Sequence, residues 1–127
     1  MSDRPVRVVL DTSAIVAYTH GSIDVGEVIA EVDDEYGAVA LPVLCLIEAY
    51  RVTADRDRLD VLVNHPATVV LDIDPADWRA VADLAGAGGR IDAAVAALLA
   101  VDYWATLLTR QSGWYAGMGA DFPIIDF

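Results

Sequence analysis

The chain has 127 residues, of which 56% are hydrophobic, and this size and composition are typical of one compact domain. Its net charge of −12 comes from 20 acidic residues against 8 arginines, which disfavours broad electrostatic attraction to nucleic acid. The chain contains no lysine, which excludes P-loop nucleotide binding, Schiff-base chemistry and the lysine-dependent phosphotransfer domains whose first strand also ends in aspartate.

The first half of the chain predicts strands alternating with helices. VRVVLD (6–11) is apolar apart from Arg7 and ends in an acid, as in a strand buried on both faces of a parallel sheet, so we expect it to be central. The next segment, TSAIVAYTH, predicts a helix of about two turns with capping residues at its start. Further elements are an amphipathic helix over 22–35, a strand at GAVALP, a helix through VLCLIEAYRVTA with Pro42 in its first turn, and a short helix from Asp55 to Asn64.

The second half continues this alternation. It predicts a strand at ATVVLDI, a glycine-terminated helix at PADWRAVADLAG, a buried helix at IDAAVAALLAVDYW, and strands at ATLLT and FPIIDF. Such alternation favours right-handed βαβ units around a central parallel sheet of four to five strands flanked by helices. We therefore expect a single α/β domain over 1–127, with any site beyond the carboxyl ends of the strands.

The sequence also predicts where the protein works. No apolar run approaches the roughly 20 residues that cross a bilayer, so no membrane association is expected. The single cysteine, Cys45, cannot form an internal disulfide and lies in an apolar stretch, where a thiol behaves as a small hydrophobe. These features favour a soluble protein of the reducing cytoplasm.

Two aspartates are candidates for chemistry at the carboxyl edge of the sheet. Asp11 ends the first predicted strand and should project from that edge, although capping of the next helix explains it equally well. Asp92 stands at the head of the most apolar helix, where the helix dipole stabilises a carboxylate. Capping alone also explains Asp92, but a first-turn acid there points out of the same edge as Asp11.

Glu48 is the third candidate, because its helical neighbours at i−4 and i+4 are Leu44 and Val52. An unpaired buried carboxylate costs several kcal/mol unless a metal ion or an arginine offsets it. An ion pair with Arg51 or a solvent-facing position is the simpler explanation. Together the three carboxylates would form a hard, oxygen-only ligand set that suits Mg²⁺ or Mn²⁺ and could support phosphodiester hydrolysis without a covalent intermediate.

Four segments, VVLDTSAIVAY, LIEAYR, RIDAAVAALLA and ATLLTRQSGWYAG, together resemble PIN-domain proteins, including VapC-type toxins of toxin–antitoxin pairs. The resemblance covers essentially the whole chain and implies a three-layer α/β fold. It implies a magnesium-dependent ribonuclease toxin that hydrolyses RNA, forms a homodimer and is covered by an antitoxin protein. By resemblance, the metal-binding acids are Asp11, Glu48 and Asp92, and the polar groups that support them are Thr12, Ser13 and Thr109.

One departure from the family pattern concerns a fourth acid. Many members carry it two residues after the threonine that ends strand four, where this chain has Gln111. A neutral carbonyl oxygen there would bind metal less tightly, and Asp121 is another candidate from the last loop. The alternative function is therefore a catalytically decayed PIN scaffold that acts as a protein-interaction module.

Several weaker signals stay open. Trp114 and Tyr115 could stack on an unpaired base, although core or dimer packing is the simpler explanation. Arg110 adjoins the predicted pocket and could pair with an acid there. His20 could carry protons, but a histidine near a helix end is usually solvated.

Overall fold

The computed structural model describes residues 4–119 and 122–127, so Asp121 lies outside the described residues. The described part of the chain contains a five-stranded, all-parallel sheet in the order β3-β2-β1-β4-β5. Its strands are β1 (Val6–Leu10), β2 (Ala38–Pro42), β3 (Thr68–Leu71), β4 (Thr106–Thr109) and β5 (Ile124–Asp126). The helices of this part are α1 (Thr12–Thr19), α2 (Ile23–Asp34), α3 (Val43–Val52), α4 (Arg56–Val63), α5 (Trp78–Gly88) and α6 (Ile91–Asp102), with 3₁₀ turns at Pro75–Asp77 and Ser112–Tyr115.

The prediction of an α/β fold with a central parallel sheet is confirmed. β1 lies in the middle of the sheet between β2 and β4, as the apolar run of residues 8–10 before Asp11 predicted. All five residues of β2 are buried, whereas the short edge strand β5 is exposed along its length. The burial gradient from centre to edge explains why the central strands were the easiest to recognise from sequence.

α6 is the most buried helix, as predicted, with eight of its residues buried. It packs on the sheet against β1 and β4 and also contacts α3 and α5. Its apolar, alanine-rich surface allows close helix–sheet approach, and its exposed residues are at its two ends, with Leu98 partly exposed between them. The first turn of α6 is thereby fixed relative to the carboxyl edge of β1.

The strand order creates a switch point between β1 and β4, where the chain changes its direction of travel across the sheet. Open α/β sheets bind ligands at such a point, outside the carboxyl ends of the strands. Leu10 pairs in register with Leu108, so Asp11 and Thr109 follow directly on neighbouring strands at this edge. Within the described ranges, no helix is both long and apolar enough to cross a membrane.

Candidate active site

Asp11 is the most enclosed acid of the candidate site, with no solvent exposure. It is the N-cap of α1, because Oδ1 accepts a hydrogen bond from Ala14 N at 2.9 Å. Oδ1 also accepts from Ser13 Oγ at 2.6 Å, and Oδ2 accepts from Thr109 Oγ1 at 2.6 Å and Tyr115 OH at 2.6 Å. Capping and a central place in the site therefore coexist, and four donors engage the carboxylate.

The hydroxyls of Ser13 and Thr109 connect α1 to the end of β4. Each hydroxyl has one proton, and each gives it to Asp11. Their oxygens lie 3.2 Å apart and in turn accept from the backbone: Arg110 N donates to Ser13 at 2.8 Å, and Gln111 N donates to Thr109 at 2.9 Å. These bonds fix the chain that follows β4 against the first turn of α1.

Asp92 lies in the first turn of α6 and is also buried. Its Oδ1 accepts from Arg90 Nε at 3.0 Å and Ala93 N at 3.0 Å, and its Oδ2 accepts from Thr12 Oγ1 at 2.7 Å and Arg90 Nη2 at 2.8 Å. Burial acts to raise the pKa of Asp92, but hydrogen bonds from Arg90 and Thr12 outweigh it and hold the pKa below its ordinary value. Because Thr12 directly follows Asp11, its hydroxyl links the two buried acids.

Glu48 does not join this network in the structure. Both of its carboxylate oxygens accept from Arg51 Nη1, at 2.8 and 3.0 Å, in the ion pair that was the simpler sequence interpretation. The Glu48 side chain is one-third exposed on the wall of the cleft that contains Thr12 and Arg90. Across residues 4–119 and 122–127, no group of three or more His, Cys, Asp or Glu side chains is arranged to hold a metal ion. The three-acid ligand set stays a prediction.

A cleft of about 340 Å³ opens beside Thr12 and Arg90, the two side chains that donate to Asp92, and its volume is at the lower end of small-ligand sites. It is lined by Thr12, Ser13, Val16, Ala17, His20, Glu48, Val52, Arg90, Arg110, Gln111 and Trp114. Asp92 lines a neighbouring pocket of about 420 Å³ together with Glu48 and Arg90, whereas Asp11 has no solvent exposure. Gln111 therefore faces the cleft, as its place in the family pattern implied. The guanidinium of Arg110 stacks on the Phe127 ring, 4.6 Å from its centroid, and makes no ion pair with the site acids in the described part of the chain.

Two contacts of the site were missed at the sequence level. Tyr115 is 4% exposed and packs edge-on against Phe122, which confirms core packing, but its hydrogen bond to Asp11 was not foreseen. Arg90 donates to both carboxylate oxygens of Asp92 and places its guanidinium carbon 4.0 Å from the ring centroid of Trp114, and no sequence motif assigned it a role. An arginine two residues before an acid has no helical spacing to mark it, so only the proximity of opposite charges in sequence could have signalled this pair.

Cys45 is a free, buried thiol next to α6, and the prediction that it serves as a small buried hydrophobe is confirmed. Its Sγ lies 3.3 Å from the backbone oxygen of Asp92. Burial raises the pKa of the thiol to about 12, so the sulfur stays protonated and unreactive as a nucleophile.

An all-parallel α/β sheet with two linked, buried aspartates at its switch point defines a protein with an acidic site at the carboxyl edge. The sequence matches the PIN domain family over residues 8–115, and the chain belongs to that family. Members of this family are usually nucleases and generally use divalent metal ions. The resemblance drawn from the sequence motifs is thus confirmed.

Solved structures share the fold at low sequence identity. One is VapBC2 from Rickettsia felis, solved bound to a DNA fragment from its promoter. It matches with a TM-score of 0.68 and 14% identity, covering 95% of this chain and 98% of that one. PAE2754 from Pyrobaculum aerophilum matches with a TM-score of 0.65 and 20% identity, covering 95% and 90%. FitAB bound to an IR36 DNA fragment matches with a TM-score of 0.59 and 16% identity, covering 94% of each chain. No curated protein sequence matches this chain.

Proposed function

We propose that this chain is a metal-dependent endoribonuclease that hydrolyses RNA phosphodiester bonds and acts in the cytoplasm as the toxin of a toxin–antitoxin pair. The observation that carries the proposal is the link from Asp11 through Thr12 to Asp92 at the switch point of a PIN-family sheet. Two carboxylates held at one edge of the sheet supply oxygen ligands of the kind that a hard divalent ion needs to support phosphodiester hydrolysis. Membership of a family that usually cleaves nucleic acid supports the same reaction class.

The side chains of this site fit a magnesium or manganese ion by their chemistry. The donors are oxygens from carboxylates and hydroxyls, which hard divalent cations prefer, and the N-terminus of α6 stabilises the negative charge of Asp92. Asp11, Asp92 and Glu48 would hold the ion, and Gln111 would contribute a neutral carbonyl oxygen. When bound, the ion supplies an activated water and neutralises phosphate charge. Thr12, Ser13 and Thr109 keep the two aspartates oriented through the hydrogen bonds they donate.

Glu48 has a separate role in this proposal. Its pair with Arg51 is exposed, so the side chain can leave the arginine at little energetic cost, on the order of 1 kcal/mol or less. Turned into the cleft, Glu48 would serve as a further oxygen ligand for the ion or would accept a hydrogen bond from the attacking water. Arg110 on the cleft wall supplies a local positive charge for RNA phosphates on an otherwise acidic chain.

Two protein partners follow from the same assignment. A toxin with this activity needs an antitoxin that blocks the cleft, and resemblance to VapC-type toxins supports a cognate antitoxin protein and a homodimer. A basic segment of the antitoxin is the chemistry that matches a chain of net charge −12.

Expression in a bacterial host tests the proposal. We expect the wild type to arrest growth with fragmentation of RNA, and Asp11→Asn and Asp92→Asn to abolish both effects. Asp24→Asn is the matched control, because it removes the same charge from the exposed face of α2 and should behave as the wild type. Immunoblots of soluble protein establish that each variant accumulates.

A second candidate is the decayed PIN scaffold acting as an interaction module. Gln111 at the fourth acidic position favours it, as do the protein donors that already engage both carboxylate oxygens of Asp11 and of Asp92. If this candidate is right, the host should grow normally and its RNA should stay intact with the wild type and with every variant, provided that soluble, folded wild-type protein accumulates. That result would overturn the nuclease proposal.

A further inference from the structure

We propose that Arg90 is a built-in competitor of the divalent ion at Asp92, so that metal binds only when the guanidinium leaves the carboxylate. This inference rests on the proposed function, because it assumes that Asp92 is a metal ligand. It adds an arginine of the chain itself as the group that sets the metal affinity of the site.

The geometry of the pair is bidentate. Arg90 Nε donates to one carboxylate oxygen of Asp92 at 3.0 Å, and Nη2 donates to the other at 2.8 Å. Thr12 and the backbone of Ala93 supply one further donor to each oxygen. A carboxylate offers about four lone-pair directions, so all are engaged and an ion can bind only by displacing a donor. Among these donors, the Arg90 side chain is the most solvent-exposed and carries the charge that an ion would replace.

Trp114 holds the guanidinium in this place. The guanidinium carbon lies 4.0 Å from the ring centroid, within the range of a cation–π contact. Trp114 is itself positioned by close packing of the loop on α5, since a Cβ at Gly88 would come within 2.8 Å of the Trp114 carbonyl oxygen. Arg90 is therefore held from two sides, by Asp92 and by an aromatic ring.

Helix capping does not explain an arginine at this position. Residue 90 is the N-cap of α6, where serine, threonine, aspartate or asparagine is favoured, and Arg90 makes no capping hydrogen bond. A positive charge near a helix N-terminus is also unfavourable to the helix dipole. Gly89, with a φ of +84°, and the extended backbone of Arg90 turn the side chain towards the cleft.

Competition between Arg90 and the divalent ion should change the ion affinity by a measurable factor. Charge-assisted, bidentate hydrogen bonds are among the stronger protein interactions, so removing Arg90 should tighten ion binding by about 10-fold or more. Tighter ion binding should follow specifically from the loss of Arg90, the arginine that donates to both oxygens of Asp92. General attraction of cations to an acidic chain would respond equally to the loss of any arginine.

Calorimetric titration with Mn²⁺ tests the inference on the whole chain. Arg90→Gln is compared with Arg79→Gln, which also removes one positive charge and one arginine–tryptophan contact, because Arg79 lies 4.7 Å from the ring centroid of Trp78 at the start of α5. We expect about 10-fold tighter binding or more for Arg90→Gln, and unchanged affinity for Arg79→Gln. The double variant Arg90→Gln/Asp92→Asn should lose the gain.

A second readout does not depend on deleting the side chain. In the wild type, Mg²⁺ should shift the Nε–H nuclear magnetic resonance of Arg90 as it leaves Asp92, and Asp92→Asn should abolish the response. Arg90→Lys keeps the charge without the bidentate geometry and should bind Mn²⁺ with intermediate affinity.

The outcomes separate the inference from the proposed function. Equal or weaker Mn²⁺ binding by folded Arg90→Gln, with binding still lost in Asp92→Asn, would overturn the competitor role and leave the metal site standing. Absence of site-dependent Mn²⁺ binding in every variant, including Arg90→Gln, would overturn the metal-dependent function and the competitor role with it.

Discussion

The Tyr115 hydroxyl donates a hydrogen bond of 2.6 Å to Asp11 Oδ2 where the tyrosine is 4% exposed. Burial raises the pKa of Tyr115, and the neighbouring charge of Asp11 raises it further, so the phenol stays neutral and protonated. The carboxylate is thus stabilised by a neutral donor, which couples the 3₁₀ turn after β4 to the end of β1.

Tyr115→Phe should lower the free energy of unfolding at neutral pH by about 1.5–3 kcal/mol, because a hydrogen bond to a charged acceptor is lost. The folded-state pKa is raised above the ordinary value of 10.0, so the unfolded chain releases this proton first and the wild type loses stability as pH rises through 10. Urea unfolding between pH 7 and 10.5 should show a smaller alkaline loss for Tyr115→Phe. Tyr103→Phe, at a half-exposed position, should retain the wild-type slope, and an identical slope in both variants would refute this account.

The loop that carries Trp114 and Tyr115 depends on close packing at Gly88. A Cβ there would meet the Trp114 carbonyl oxygen at 2.8 Å and Met118 Cε at 2.6 Å, so Gly88→Ala should displace the loop and destabilise the fold. Gly86 in the same helix has no atom within 4 Å of an added Cβ, and Gly86→Ala should stabilise by about 0.5–1 kcal/mol through helix propensity. The midpoint of thermal unfolding should fall for Gly88→Ala and rise for Gly86→Ala. Equal effects would contradict tight packing of this loop.

Restoring an acid at residue 111 should strengthen ion binding. Gln111→Asp adds a carboxylate to a cleft that already contains Glu48, so the variant should be less stable than the wild type in chelator and gain more stability from Mg²⁺. Gln111→Asn is the neutral control of the same length and should show neither change. The measurement is the midpoint of thermal unfolding with and without Mg²⁺. A Mg²⁺-dependent shift no larger for aspartate than for asparagine would remove residue 111 from the site.

Substitutions of Glu48 and of Arg51 should have very different effects on RNA cleavage, although the two side chains form an ion pair. The pair is exposed, so Arg51→Gln should change the free energy of unfolding by less than about 1 kcal/mol and leave RNA cleavage intact. Glu48→Gln should be similarly stable but should lose most of the cleavage rate, because the proposed ligand is gone. Initial cleavage rates beside urea unfolding curves provide the comparison. Equal activity of the two variants would reduce Glu48 to a surface ion pair.

The sequence was informative where chemistry follows from chain position. The apolar run of residues 8–10 before Asp11 and the all-round apolar helix with Asp92 in its first turn predicted the central strand, the buried helix and the edge that both acids share. Residue types alone did not predict which donors would reach those acids. Tyr115 meets Asp11 across 104 positions of sequence, and Arg90 reaches Asp92 through a glycine-dependent turn that has no periodic pattern.

The nuclease proposal is best tested by incubating a structured, end-labelled RNA with the purified protein in Mg²⁺. We expect discrete fragments from the wild type, none in the presence of chelator, and none from Asp92→Asn purified in the same way and folded by circular dichroism. Cleavage by Asp92→Asn equal to that of the wild type, or an intact RNA with folded wild-type protein in Mg²⁺ or Mn²⁺, would show that this protein is not a nuclease of the proposed kind.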